Sequence, residues 1–291
     1  MAELRKFRAA LVQLRASRSV VANVDQAARL IREAKAAGAD YVQTPEQTSL
    51  MELDRKSLFA NIVEEDHDPA LAALQELARE LKIFLHIGSL AVKVSPEKAA
   101  NRAFMVGPDG EIIARYDKIH LFDVDLPGKE SYRESNTFRP GETAIVVGLP
   151  WGGLGLTVCY DVRFPQLYRA LAEAGAHFLT VPAAFTRQTG EAHWHVLLRA
   201  RAIENGAFVL AAAQGGKHEN GRETFGHSMV IDPWGRVIAE AGIEPGVTIA
   251  EIDPALVVQA RSRIPSLEHG RRFEVVAPAT EGARLHVVGR A

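Results

Sequence analysis

Short runs that are apolar on both faces alternate along this chain with stretches that are apolar on one helical face, and few folds accommodate that pattern. Phe7–Gln13 (FRAALVQ) reads as a buried strand. Residues 23–37 then carry Val24, Ala27, Ala28, Ile31 and Ala34 at helical spacing, and Gly38 is placed to end that helix. A short strand over 41–44 stops at Pro45-Glu46. The scheme repeats with an amphipathic helix over Pro69–Leu81 and a strand over 83–94. Further on, strands over 154–159, 178–181 and 208–212 alternate with helices over Pro165–Glu173 and 191–204. Hairpins are read at 102–116, around Pro108-Asp109-Gly110, and at 228–241, around Pro233-Trp234-Gly235. Strands apolar on both faces must be covered twice, by helices or by a second sheet. A layered α/β sandwich follows from this patterning; the number of layers does not.

Composition narrows the function classes. With 47% hydrophobic residues among 291, one large core is affordable, and a single α/β domain is expected. The net charge of −2 lacks the basic excess of a nucleic-acid binder. Charges interrupt every apolar run near the N-terminus, so neither a secretory leader nor a membrane span is expected. The single cysteine, Cys159, excludes an intrachain disulfide and fits a reducing, cytoplasmic setting.

Cys159 is also the first candidate for chemistry. It is read at the carboxyl end of a strand, where α/β proteins bind ligands, just before Pro165 opens a helix. The helix N-terminus and Arg163 are expected to lower its pKa. Taken alone, a lone cysteine reads equally well as a small buried hydrophobe. Glu46 ends a buried strand, which suits a general acid or base, although a solvated loop glutamate fits the same position. Lys118 lies among apolar neighbours in Tyr116-Asp117-Lys118-Ile119-His120-Leu121-Phe122, so its ammonium needs either an ionic partner or an oxyanion to hold. The stretch 123–141 has no periodicity, and a loop that long is usually functional or disordered. His193-Trp194-His195 looks like a metal motif, but residues two apart on a helix face different ways. His227, Ser228 and Asp232 lack a G-x-S-x-G elbow, which counts against a serine triad.

Pro45-Glu46, then 116–122, then Cys159-Tyr160-Asp161-Val162-Arg163-Phe164-Pro165 together resemble the nitrilase superfamily of carbon–nitrogen hydrolases, in the family's order and over nearly the whole chain. The resemblance implies a four-layer α-β-β-α sandwich and one domain over 1–291, with a core over about 5–275 and a tail over 276–291. It implies a Glu46-Lys118-Cys159 triad, with Glu134 as a second glutamate orienting Lys118. Lys118 and the backbone N–H of Tyr160 would form the oxyanion hole. No cofactor and no metal are implied, the partner is a small-molecule amide, and a homodimer or higher homo-oligomer is expected. Within the family, Thr189-Gly190-Glu191-Ala192-His193-Trp194 and residues 199–204 and 226–235 are most similar to deaminated glutathione amidases, with ω-amidases acting on 2-oxoglutaramate or 2-oxosuccinamate next. The expected reaction is amide hydrolysis through a thioester on Cys159, releasing ammonia. Arg163 is expected to hold a keto acid's carboxylate, and Phe185 and Thr189 to line the acyl pocket. Lys217, His218 and Arg222, in a Gly-rich loop, are placed to meet a distal carboxylate or simply to face solvent. A broader amidase or nitrilase, a metal-dependent amidohydrolase, and a non-catalytic binding module on the same fold are the remaining readings.

Overall fold

A computed structural model describes residues 5–126 and 131–275 of the chain, so the tail expected over 276–291 lies outside the described residues. In chain order the first half contains β1 (Phe7–Gln13), α1 (Val20–Ala36), β2 (Tyr41–Gln43), α2 (Arg55–Asn61), α3 (Pro69–Leu81), β3 (Phe84–Lys93), β4 (Ala99–Val106), β5 (Ile112–Asp117), β6 (Asp123–Asp125) and β7 (Ser131–Arg133). The second half contains β8 (Ile145–Leu149), β9 (Gly152–Leu156), α4 (Pro165–Glu173), β10 (Ala176–Thr180), α5 (Arg187–Asn205), β11 (Phe208–Ala211), β12 (Gly215–Lys217), β13 (Glu223–Phe225), β14 (Met229–Ile231), β15 (Val237–Glu240), β16 (Gly246–Ile252) and α6 (Ala255–Arg263).

Two six-stranded sheets run in the orders β16-β1-β2-β3-β4-β5 and β15-β14-β11-β10-β9-β8. Side-chain alternation divides each strand between two layers. On β1, Phe7, Ala9 and Leu11 join the core that also holds Leu154, Leu156, Phe178 and Phe208 of the second sheet. Ala10 and Val12 point the other way, against Leu30 and Ile31 of α1 and Leu74 and Leu77 of α3. Tyr168 and Leu171 of α4, with Trp194 and Leu198 of α5, cover the second sheet. The fold is therefore an α-β-β-α sandwich, and the double burial explains why the strands read as apolar on both faces. Phe7 seams the two sheets, stacking on Trp151 at 4.2 Å and meeting Phe178 edge-on at 5.3 Å.

Caps set the helix ends. Ser19 accepts from the Ala22 N–H, so α1 begins at Val20, three residues before the apolar periodicity becomes visible at 23. Gly38, at φ +86°, carries the chain out of that helix. Asp68 accepts from Ala70 and Leu71 ahead of Pro69 and starts α3 where the sequence predicts. The expected long loop is instead partly ordered: β6 and β7 form an antiparallel ribbon, and a 3-10 turn follows over Glu134–Asn136. Three-residue strands are too short to show a period. The sequence also leaves β16 unassigned, although it pairs antiparallel with all of β1 and forms the edge of the first sheet.

Candidate active site

Glu46, Lys118 and Cys159 arise from three separate strand ends: just after β2, just after β5 and shortly after β9. Parallel pairing aligns the carboxyl ends within β1·β2·β3 and within β9·β10·β11, two antiparallel steps through β4 return β5 to the direction of β3, and facing sheets bring the three ends to one cavity. That cavity, of about 220 Å³, is lined by all three residues together with Glu134, Tyr160, Phe185, Thr189 and Arg222.

A tight turn holds Glu46. The Thr48 hydroxyl donates to the Pro45 carbonyl at 2.8 Å, and Gln47 sits at φ +55°. Gly88 packs so closely beneath the turn that a Cβ there would lie 2.1 Å from the Thr44 carbonyl oxygen. Glu46 is 3% exposed. Its Oε1 accepts from Lys118 Nζ and from Asn101 Nδ2, each at 2.9 Å, and its Oε2 accepts from the Ala184 N–H at 2.8 Å.

Lys118, 2% exposed, also donates to both oxygens of Glu134, at 3.1 and 2.8 Å. Glu134 in turn accepts from Asn101 Nδ2 at 3.0 Å and from the Phe122 N–H at 2.7 Å. One ammonium thus lies between two carboxylates, and one amide steadies both. Asn101 was not singled out from the sequence. A signal was present, since an asparagine in a strand whose other residues, Arg102 apart, are apolar needs a buried partner.

Cys159 opens a 3-10 turn, Cys159–Arg163, not the end of a strand as the sequence reading has it; β9 stops at Leu156. Its φ of +48° is strained for a residue bearing a side chain. Asp161 clamps the turn: its carboxylate accepts from the Val158 N–H at 2.8 Å, the Tyr116 hydroxyl at 2.7 Å and the His120 N–H at 3.0 Å. Those last two donors flank Lys118, so Asp161 ties the cysteine turn to the lysine strand.

The protonation state follows from these contacts. Burial, and then the Glu46 carboxylate, push the Cys159 thiol well above its ordinary range, despite the opposing Lys118 charge. Burial also acts to raise Glu46, but Lys118, Arg222 and the contact with Cys159 outweigh it and hold the carboxyl below its usual value. Burial acts to lower Lys118, and Glu134 and Glu46 more than reverse it. The resting pair is a neutral thiol beside an ionised Glu46. This corrects the expected lowering of the thiol by Arg163 and a helix N-terminus: the thiol is buried beside a carboxylate, and Arg163 does not line the cavity. The Arg163 guanidinium instead lies 5.2 Å over the Phe185 ring and 3.3 Å from His193 Nδ1.

The remaining candidates separate. His218 is buried between the Ala16 carbonyl and the Thr224 hydroxyl, where burial drops its pKa to about 4, so it anchors a hairpin. Lys217 is exposed, whereas Arg222 lines the cavity. His193 and His195 diverge as helical geometry requires; His195 and His227 both contact Glu240, at 2.9 and 2.8 Å. Ser228 bonds Gln13, and Asp232 bonds Arg236, so the imagined serine triad is not assembled.

The chain resembles known proteins over most of its length. The model of the family described as carbon-nitrogen hydrolase matches residues 8–262. A deaminated glutathione amidase from Synechocystis sp. (strain PCC 6803 / GT-S) is 41% identical over 275 residues, covering 91% of this chain and 98% of that protein. An omega-amidase from Mus musculus is 36% identical over 265 residues, covering 91% and 95%. Among solved structures, the amidase from Nesterenkonia sp. AN1, with the acetamide moiety of fluoroacetamide covalently added at its active site cysteine, aligns with a TM-score of 0.76 at 30% identity, covering 90% of this chain and 96% of that one. This chain belongs to the carbon–nitrogen hydrolase family and is a hydrolase of carbon–nitrogen bonds other than peptide bonds.

Proposed function

We propose that the chain is a deaminated glutathione amidase in which Cys159 is the nucleophile, Glu46 the general base and acid, and Lys118 with the Tyr160 N–H the oxyanion hole. The observation that carries this reading is the convergence of a buried thiol, a buried carboxylate and an ammonium on one cavity of about 220 Å³. The name borne by relatives at about 40% identity supports the substrate.

The resting thiol is a poor nucleophile, so deprotonation accompanies attack. Glu46 takes the Cys159 proton while sulfur bonds to the amide carbon, and the carbonyl electrons move onto oxygen, where Lys118 and Tyr160 donate to it. The tetrahedral adduct collapses: the C–N bond breaks, Glu46 gives its proton to the departing nitrogen, and a thioester remains. Glu46 then deprotonates a water that attacks the thioester. Collapse of the second adduct expels the thiolate, which recovers the proton from Glu46 as the acid leaves. Glu134 keeps Lys118 charged and aimed throughout. The amides of deaminated glutathione are secondary, so for that substrate an amine departs in place of the expected ammonia. Phe185 and Thr189 line the acyl side.

Comparing kcat/KM on deaminated glutathione and on 2-oxoglutaramate tests the substrate. A preference for 2-oxoglutaramate overturns it in favour of ω-amidase activity, the reading that the 36%-identical relative favours. Cys159→Ala abolishes turnover under this mechanism, and intact-mass measurement finds the acyl adduct on wild type alone. Substantial residual hydrolysis by the variant refutes the nucleophile.

A homodimer is part of the same proposal. Val196 and Ile203 are exposed on α5 with Trp234 on the adjoining turn, an apolar face suited to a second copy. Sedimentation as a monomer refutes that part. No described helix is long and apolar enough to cross a membrane, and a cytoplasmic location is proposed from the single unpaired thiol.

A further inference from the structure

We infer that Arg222 forms an anion subsite in this cavity and selects amides that carry a carboxylate. The inference rests on the amidase reading above and adds to it the group that decides which amides are accepted.

Charge accounting within the cavity singles this residue out. Lys118 is held by Glu46 and Glu134. Arg133 pairs with Asp125 at 2.8 Å, and Glu52 pairs with Arg18 at 2.6 Å. Among the described residues, Arg222 is the cavity-lining cation that makes no ion pair with a carboxylate. Its Nη2 donates to the Ala184 carbonyl at 2.5 Å, while its Nη1 meets only the Met51 thioether, at 3.9 Å. Its Nε is buried with no hydrogen-bond partner. A guanidinium carries five N–H donors in a planar fork that matches a carboxylate, and leaving them unmet in a partly buried site is costly.

The side chain is also fixed in place before any ligand arrives. Arg222 ends a tight turn in which the His218 N–H donates to the Arg222 carbonyl at 2.8 Å. Asn220 pins the turn to the Met51 carbonyl at 3.1 Å, and His218 pins it to Ala16. The guanidinium lies 5.3 Å over the Tyr132 ring. Such a cation binds an anion without paying a large ordering entropy. Arg163, the cation that the sequence nominates for this task, lies outside the cavity lining and against His193.

Arg222 also helps keep Glu46 ionised. That influence falls on every substrate alike and cancels in a ratio, whereas a carboxylate contact does not. The experiment therefore compares kcat/KM for deaminated glutathione with kcat/KM for propionamide, in wild type, Arg222→Leu, Arg222→Lys and Arg163→Ala. The expected result is a fall in that ratio of about 10–100-fold for Arg222→Leu, carried by KM, as befits loss of a charge-assisted bidentate bond. Arg222→Lys, which keeps the charge and loses the fork, falls less. Calorimetric titration of Cys159→Ala, with and without Arg222→Leu, uses 2-oxoglutarate as probe for an acyl-side carboxylate and cysteinylglycine for a leaving-side one. Weakening of one probe supports the subsite and identifies its source. A ratio within twofold of wild type in Arg222→Leu, with both probes unaffected, overturns the inference, as does a fall confined to Arg163→Ala. Loss of all amide turnover in wild type refutes the amidase reading instead, and the titrations still report on Arg222.

Discussion

Replacing Lys118 with methionine tests the central interaction of the site. Methionine approximates the length of the lysine stem and removes the charge. In the native site the ammonium makes a 2.9 Å bond to Glu46 and bonds of 2.8 and 3.1 Å to Glu134, at 2% exposure. Its loss leaves the buried Glu46 carboxylate and the half-buried Glu134 carboxylate facing each other across the Asn101 amide. Breaking a buried pair by removing one partner costs about 3–5 kcal/mol. For a chain of this size that lowers Tm by on the order of 10 °C. Loss of one oxyanion donor costs a further ~2.7–4 kcal/mol in the transition state, about 10²–10³ in kcat. The pH dependence separates the two effects. Glu46 in the native protein has a carboxyl held below its ordinary value of 4.5, so its stabilising contribution is present above that pH and is lost as pH falls through the folded value. Without Lys118, burial dominates and raises that carboxyl. The variant is then penalised most at neutral pH, and acidification relieves it by protonating a carboxylate. Thermal unfolding from pH 7.5 down to pH 5 should show the gap in Tm closing, while kcat, measured on protein with native circular dichroism, stays depressed. A kcat within tenfold of wild type, or a Tm gap that widens on acidification, refutes the reasoning.

Two substitutions probe the scaffold. Gly88→Ala puts a Cβ 2.1 Å from the Thr44 carbonyl oxygen, 2.6 Å from that of Pro45 and 2.5 Å from Pro182 Cβ, and so displaces the turns beside both Glu46 and Cys159. The expected loss is about 1–3 kcal/mol in stability and, for a misplacement approaching 1 Å, about 10²-fold in kcat; denaturant melts paired with kinetics check it, and wild-type values for both would show that the turn yields freely. Tyr116→Phe deletes the 2.7 Å hydroxyl bond to the buried Asp161 carboxylate, so urea unfolding should show a loss of about 1.5–3 kcal/mol at constant m, and no loss would mean that Asp161 is already satisfied by its amide donors.

Much of the molecule is legible in the sequence because the signals are local. Periodicity of 2 and 3.6, Asp68-Pro69 at a helix start and Gly38 at a helix end reflect forces acting within a few residues. They place β1, α3 and α4 within their observed bounds. The motifs around Glu46, Lys118 and Cys159 carry the family with them. What escapes is either very short, as with β6 and β7, or defined by a partner far along the chain, as with β16 against β1. Asn101 matters only because Glu46 and Glu134 arrive beside it from 55 and 33 residues away. The state of the thiol is non-local for the same reason. Sequence neighbours such as Arg163 predict a thiolate, but burial and a carboxylate brought in by the facing sheet hold the proton on sulfur. Likewise the chain presents Arg163 and Arg222 as equal cations, and only packing sets one against His193 and leaves the other lining the cavity. Local signals in the chain suffice for the chemical groups this protein possesses and for the order of the longer strands and helices named above. Which charges meet and which remain unpaired is set by packing, because electrostatic energy depends on distance and burial, and neither is a property of a residue's place in the chain.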